Sequence, residues 1–271
     1  MKAKVISVCN QKGGTGKTTT VVNLSAGLAM IGKRMLVLDM DPQANASDTL
    51  GNNPYDARFS MYDVLIGDRI VSASIMKTRY ELIDLVPSKI KLAAAENELP
   101  RTISGIMALK NKLDSVALNN YDYIIIDSPP SLGFLTMNAL NASDSVIIPL
   151  QADSHYALQG VEDLRDIINT VQKIRPNDPL LIEGILITMY DARTKICPSM
   201  EVEIRRYFNG IRIFNTIINR STRLAKAALE HTTIFEQKDY DALGVKDYKS
   251  LSKEFLNEDT AENNTVDERQ S

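Results

Sequence analysis

The chain has 271 residues, 44% of them hydrophobic and 24% charged, with a net charge of −3 and two cysteines. That length allows one large domain with a sizeable core. No apolar run reaches the ~18–20 residues that span a bilayer, the N-terminal apolar stretch is too short for a signal peptide, and Cys9 and Cys197 have neither CxxC nor metal-ligand spacing, so a reduced, cytoplasmic protein is expected.

The first predicted strand, 4–9, runs straight into QKGGTGKTT at 11–19, and a predicted helix follows over 17–31. A short buried strand, a Gly-rich turn and a helix are the build of a phosphate cradle. Gly13, Gly14 and Gly16 let backbone N–H groups turn inward, with Thr15 and Thr19 in the same loop. Lys17 adds a cation where β- and γ-phosphates would lie, Thr18 offers a hydroxyl to Mg²⁺, and the helix N-terminus adds its partial positive charge. The usual pattern has glycine six residues before the lysine; here Gln11 stands there, and a second lysine, Lys12, follows it. Two lysines in a compact loop repel by roughly 1–4 kcal/mol. Lys12 is therefore expected to serve phosphates that its own loop does not hold.

Beyond the loop the pattern alternates. Strands are predicted over 35–40, 82–86, 123–127, 145–150, 182–189 and 211–218, and helices over 103–118, 132–141, 157–174, 198–208, 223–230 and 246–256. Strands such as YIIID at 123–127 are continuously apolar, as strands covered on both faces should be. The expected fold is α/β, a mostly parallel twisted sheet with helices on both faces. Residues 51–77 read as a surface insertion with short helices. Residues 1–256 are expected to form a single domain, and the polar 257–271 a disordered acidic tail.

In such sheets ligands bind at the carboxyl ends of the strands. Asp39 and Asp41 follow one apolar strand and Asp127 ends another. An Asp in that place is the expected partner of Mg²⁺, usually through water. Asp127 and Asp41 are predicted in metal or water roles, and Asp39 either shares them or braces the loop.

The charge is unevenly spread. The tail from 257 carries a net −4, which leaves 1–256 at +1. Between Ile196 and Leu229, Arg205, Arg206, Arg212, Arg220, Arg223 and Lys226 face only Glu201 and Glu203. A basic face on a neutral body is expected.

Four segments, NQKGGTGKTTT at 10–20, LDMDPQANA at 38–46, YDYIIIDSPPSLG at 121–133 and TMYDART at 188–194, together resemble the ParA/Soj family of partition ATPases. This is a branch of the deviant Walker-A P-loop NTPases that also include MinD and the nitrogenase iron protein, and the likeness runs from about Lys4 to Leu256. The resemblance implies slow, partner-stimulated ATP hydrolysis. It also implies a homodimer closed over ATP and Mg²⁺, with Lys12 reaching the phosphates of the other subunit and Gly13 leaving room for its approach. Asp41 would orient the attacking water, Lys17 and Thr18 would hold phosphates and Mg²⁺, and Asp127 would stand behind the metal.

The family further implies nonspecific binding of double-stranded DNA in the ATP state, with Arg193 and Arg223 as the matching basic positions and Arg220 as a third that could serve the nucleotide pocket instead. It implies a ParB-type centromere-binding protein as partner and a cytoplasmic protein that joins the nucleoid when ATP is bound. A MinD-like positioning ATPase would need a basic amphipathic tail, and this tail is acidic; a nucleotide-state switch with negligible turnover fits the same residues. The loop starts ten residues in, so the operator-binding domain of the large ParA subtype is not expected. Departures from the family pattern are Thr15 for Val, Ser128 for Cys, Asn219 for the Pro that borders the base, and AALEHTTIF at 227–235, which hints at an element-borne member.

Overall fold

The computed structural model describes residues 2–270 except 52, 54, 55, 104, 114, 115, 153–155 and 238–241, and describes only the backbone of 116, 117, 156–160 and 258–270. One sheet holds β1 (Lys4–Val8), β2 (Met35–Asp39), β3 (Met76–Lys77), β4 (Ile83–Val86), β5 (Tyr123–Asp127), β6 (Ser145–Gln151) and β7 (Leu181–Thr188). Their order is β3-β4-β2-β5-β1-β6-β7, parallel throughout except for the short β3 at one edge. The chain leaves β1 for β2 on one side and later places β6 on the other. That reversal is a switch point, where a crevice opens beyond the strand ends.

The helices are α1 (Lys17–Met30), α2 (Asn45–Leu50), α3 (Met61–Leu65), α4 (Ala95–Glu98), α5 (Ala108–Leu113), α6 (Phe134–Ala142), α7 (Tyr156–Ile174), α8 (Ile196–Tyr207), α9 (Thr222–Leu229) and α10 (Leu243–Gln270). Alternate residues of each strand feed opposite faces. Ile6, Val8, Val37 and Ile125 pack with Leu24 and Leu28 of α1 and with Tyr248, Leu251 and Phe255 of α10. Val5, Leu36, Leu38, Ile124 and Ile126 face the other way, onto Val64 of α3, Leu109 of α5 and Leu135 of α6. Around β6 and β7 a third cluster joins Leu164 and Ile168 of α7 to Met200 and Ile204 of α8. Each fully buried side chain of this size stabilises the fold by ~1.5–3 kcal/mol, and covering both faces explains the unbroken apolar strands. Cys9 and Cys197 are buried and unbridged. Among the described residues no helix is long and apolar enough to cross a membrane.

Three predicted elements differ. The segment 211–218 follows the edge of β7 but pairs with it only at isolated bridges, Ile185 with Ile213 and Tyr190 with Asn219. Phe214 N and Ile218 N reach β7 carbonyls, but Glu254 of α10 takes the amides between them, accepting from Asn215 N and Thr216 N at 2.6 and 2.8 Å, and just past the segment Asp247 accepts from Asn219 N at 2.8 Å. The helix predicted over 103–118 is reduced to α5 between two 3₁₀ turns, Gly105–Met107 and Val116–Asn120. Gly105 has φ 43°, outside the helical range, and the Asn138 side chain accepts from Leu109 N at 3.1 Å. In the tail, α10 continues to Gln270 where irregular chain is predicted. No Pro or Gly lies in 257–270 to stop it. The acidic side chains from Glu258 to Glu268 lie outside the described residues.

Candidate functional site

The loop between β1 and α1 lies at the switch point. Gly14 and Gly16 have φ 75° and 84°, a left-handed conformation that glycine adopts without steric cost. Side chains then fix the turn. Asn10 donates from Nδ2 to the Pro149 carbonyl on β6 at 2.7 Å and accepts from Lys12 N at 3.0 Å. The Lys12 carbonyl accepts from the Thr15 hydroxyl at 3.3 Å and from Lys17 Nζ at 3.2 Å. Thr188, at the end of β7, donates to the Thr15 carbonyl at 2.9 Å. The cradle is thus tied to two strands. Its outer face is open: a Cβ placed on Gly13 would meet nothing within 4 Å.

The carboxylates converge because the strands are in register. Asp127 stands opposite Val8 of β1 on one side and Asp39 of β2 on the other. Asp39 is fully buried and accepts from Asp41 N at 3.1 Å, Ser47 N at 2.8 Å and the Ser47 hydroxyl at 2.6 Å. It therefore braces the loop that carries Asp41. Asp41 is buried too, and its Oδ1 accepts from Gln43 N at 2.9 Å. Thr18, in the first turn of α1, donates to Asp127 Oδ2 at 2.7 Å, while Asp127 Oδ1 is buried with no partner among the described residues.

These charges are held uncomfortably. Burial raises the Asp127 carboxyl well above the usual range, and the neighbouring Asp39 adds to it. Burial raises Asp39 to about 7 against the hydrogen bonds from Ser47 and Asp41. Burial lowers the Lys17 ammonium, opposed by Asp127, Cys9 and Asp41. A hard cation with a polyphosphate would relieve all three. The unmet oxygen of Asp127, the Thr18 hydroxyl and the oxygen chemistry of Asp41 fit Mg²⁺.

Next to the cradle is a cavity of about 510 Å³ lined by Gly16, Thr19, Thr188, Met189, Ile218 and Asn219, with Arg193, Arg220, Leu224 and Tyr248 also on its wall. Arg193 is thus brought beside the cradle rather than away from it, and Arg220 stands on the nucleotide-pocket side that its second reading left open. Arg193 is exposed and clasps Asp191, its Nε and NH2 donating at 2.8 and 2.7 Å; that pairing holds the Asp191 carboxyl at about 2. Arg220 is exposed, and its backbone N–H donates to the Tyr190 carbonyl at 2.8 Å. Arg223 is exposed on α9 and is not part of the cavity wall.

Some site residues were not legible as such. Asn10 and Thr188 stand inside motif segments, so their polarity at strand ends was a usable signal. Ser47 carries no sequence signal for its place, although its hydroxyl links Asp39 to Ser88 N, from which it accepts at 2.8 Å. Tyr248, fully buried on α10, has no local signal for a place on the cavity wall.

A family model described as an AAA domain matches residues 3–182. The chain is 47% identical over 251 residues to the sporulation initiation inhibitor protein Soj of Bacillus subtilis, covering 93% of this chain and 97% of that protein. It is 40% identical over 257 residues to the chromosome partitioning protein ParA of Myxococcus xanthus, covering 95% and 89%. Among solved structures it is similar to cobyrinic acid a,c-diamide synthase from Mycobacterium smegmatis with bound ADP and magnesium, at a TM-score of 0.77, 33% identity and 93% coverage of both chains. With such identity to Soj and ParA over nearly the whole of each protein, the chain belongs to the ParA/Soj family of partition ATPases.

Proposed function

We propose that this partition ATPase binds ATP with Mg²⁺ in the cradle at 11–19 and uses it to close a homodimer that holds double-stranded DNA without sequence preference. The observation that carries the reading is the strand-end group: buried Lys17, the Thr18–Asp127 pair with its unmet Oδ1, and Asp41 braced through Asp39. The nucleotide and magnesium held by the similar M. smegmatis protein support the same ligands here. Thr18, Asp127 and Asp41 would hold Mg²⁺, which when bound neutralises charge on the β- and γ-phosphates.

The chain's own residues do the rest. Gly14, Thr15, Gly16 and Thr19 supply the cradle's backbone, and Lys17 leaves the Lys12 carbonyl for a phosphate oxygen. Asp41 accepts a hydrogen bond from the attacking water and orients it. The neighbouring cavity takes ribose and base. Lys12 crosses to the partner subunit's phosphates, and the open face at Gly13 admits that subunit. ATP is then part of the interface, and hydrolysis releases the dimer. Hydrolysis is slow until a ParB-type centromere-binding protein stimulates it. Arg223 meets DNA phosphates, with Arg193 and Arg220 at the rim between cavity and DNA, so the ATP form gathers on the nucleoid.

Nonspecific duplex binding is measured with ATP, ADP and no nucleotide, for wild type and Lys12→Ala. Binding with ATP alone, lost in the variant, is expected. Equal binding in all three states would sink the switch.

A further inference from the structure

We infer that Asn219 reads the nucleobase and that Asp247 sets the direction in which it reads. The inference rests on the cavity beside Gly16 and Thr19 being the base pocket. An amide side chain is ambiguous, a donor at one end and an acceptor at the other. Asp247 removes the ambiguity. It accepts from the Asn219 backbone N–H at 2.8 Å, and Asn219 Nδ2 lies 3.2 and 3.1 Å from its two oxygens. Burial raises the Asp247 carboxyl, and the hydrogen bonds from the Asn219 backbone and side chain oppose that rise; as a carboxylate it only accepts, so the NH₂ end faces it. Oδ1 is left over, no donor reaches it among the described residues, and Asn219 lines the cavity.

The latch is anchored in the core. Asp247 is buried on α10 beside Tyr248, which is itself fully buried and on the cavity wall. Much of the remaining wall is apolar, with Met189, Ile218, Leu224 and Ala225 on it, which suits the faces of a flat ring. Met189 has φ 51°, a sparsely populated conformation for a residue other than glycine, of the kind that clusters at ligand sites. An oriented acceptor on such a wall takes the hydrogen of a 6-amino purine. It meets the oxygen of a 6-oxo purine acceptor to acceptor, losing the bond and adding repulsion. Asn219 therefore selects adenine over the 6-oxo bases.

Competition of unlabelled ATP and inosine triphosphate against a fluorescent ATP analogue on the full chain tests this. The wild type is expected to prefer ATP by about tenfold or more. Asn219→Ala removes the acceptor and brings the ratio close to one. Asp247→Asn frees the amide to turn its NH₂ toward the 6-oxo group and lowers the ratio likewise. The ratio is decisive because a purely structural pair would weaken both nucleotides together. An unchanged ratio in Asn219→Ala with ATP binding intact overturns the assignment and leaves the cradle standing. Failure of the wild type to bind either triphosphate overturns both. If Asp247→Asn does not fold, Asn219→Ala decides alone.

Discussion

The Thr18 hydroxyl donates to Asp127 Oδ2 at 2.7 Å, while the other oxygen of that carboxylate is buried without a partner among the described residues. Half of the carboxylate is satisfied by the chain and half is not, which is costly in a dry site. Asp127→Asn keeps the shape and removes the buried charge. The nucleotide-free variant is expected to gain about 1 kcal/mol, or roughly 2–4 °C in melting temperature for a chain of this size. The same variant should lose the extra stabilisation that Mg²⁺ adds to ATP. Thermal melts with and without ATP, EDTA and Mg²⁺ read both effects. A lower melting temperature without nucleotide would show that the carboxylate serves stability instead.

Asp39 acts one step further back. Its carboxylate holds Asp41 N, Ser47 N and the Ser47 hydroxyl, and that hydroxyl in turn accepts from Ser88 N. Ser47→Ala leaves the Ser88 N–H unpaired and removes one donor to Asp39, at a cost of about 1–3 kcal/mol. The predicted result is a lower urea midpoint with an unchanged m-value, and a larger fall in ATP turnover than in ATP affinity, because the braced loop carries Asp41. Turnover and affinity falling in equal proportion would remove Asp39 from the positioning of Asp41.

What could be seen in the chain follows from how local each cause is. The strand 123–127 was legible because both of its faces are covered, and the cradle because glycine and lysine spacing fixes its turn. The segment 211–218 is not legible as a bridged edge because Glu254 takes amides in its middle and Asp247 takes the one just past its end, the pairs Asn215–Glu254 and Asn219–Asp247 being 39 and 28 positions apart. The cavity was invisible for the same reason: Thr188, Asn219 and Tyr248 meet only once β7, the edge segment and α10 are assembled. Motif and charge do not tell a cavity rim from an open face for Arg193, and for Arg220 they leave the nucleotide pocket open beside a DNA surface.

Glu96 of α4 clamps the start of α6, accepting from Phe134 N at 2.6 Å and Leu135 N at 3.2 Å. A Cβ on Gly133 would lie 2.5 and 2.6 Å from its two carboxylate oxygens. Gly133→Ala should therefore expel the clamp and cost about 1–2 kcal/mol, the range for losing an N-terminal cap. Glu96→Ala should cost a similar amount, and the double variant clearly less than the sum, since each destroys the same contact. Chemical denaturation of the four proteins gives the cycle; simple additivity would refute the clash.

Arg223 and Arg220 separate two uses of positive charge. Arg223 is exposed on α9 away from the cavity wall, whereas Arg220 is on it. If Arg223 meets DNA phosphates, removing one such arginine–phosphate pair lowers the slope of log affinity against log salt by about 0.9, so a dimer carrying Arg223→Ala should fall by roughly 1.8. ATP affinity should not change, because the residue is not on the cavity wall. Arg220→Ala should first weaken ATP binding, and DNA binding only as a consequence. Saturating ATP should then restore much of the DNA affinity of Arg220→Ala and leave that of Arg223→Ala as weak as before. DNA titrations from low to moderate salt at two ATP concentrations distinguish the pair. An Arg223→Ala slope equal to the wild type would take that residue off the DNA surface.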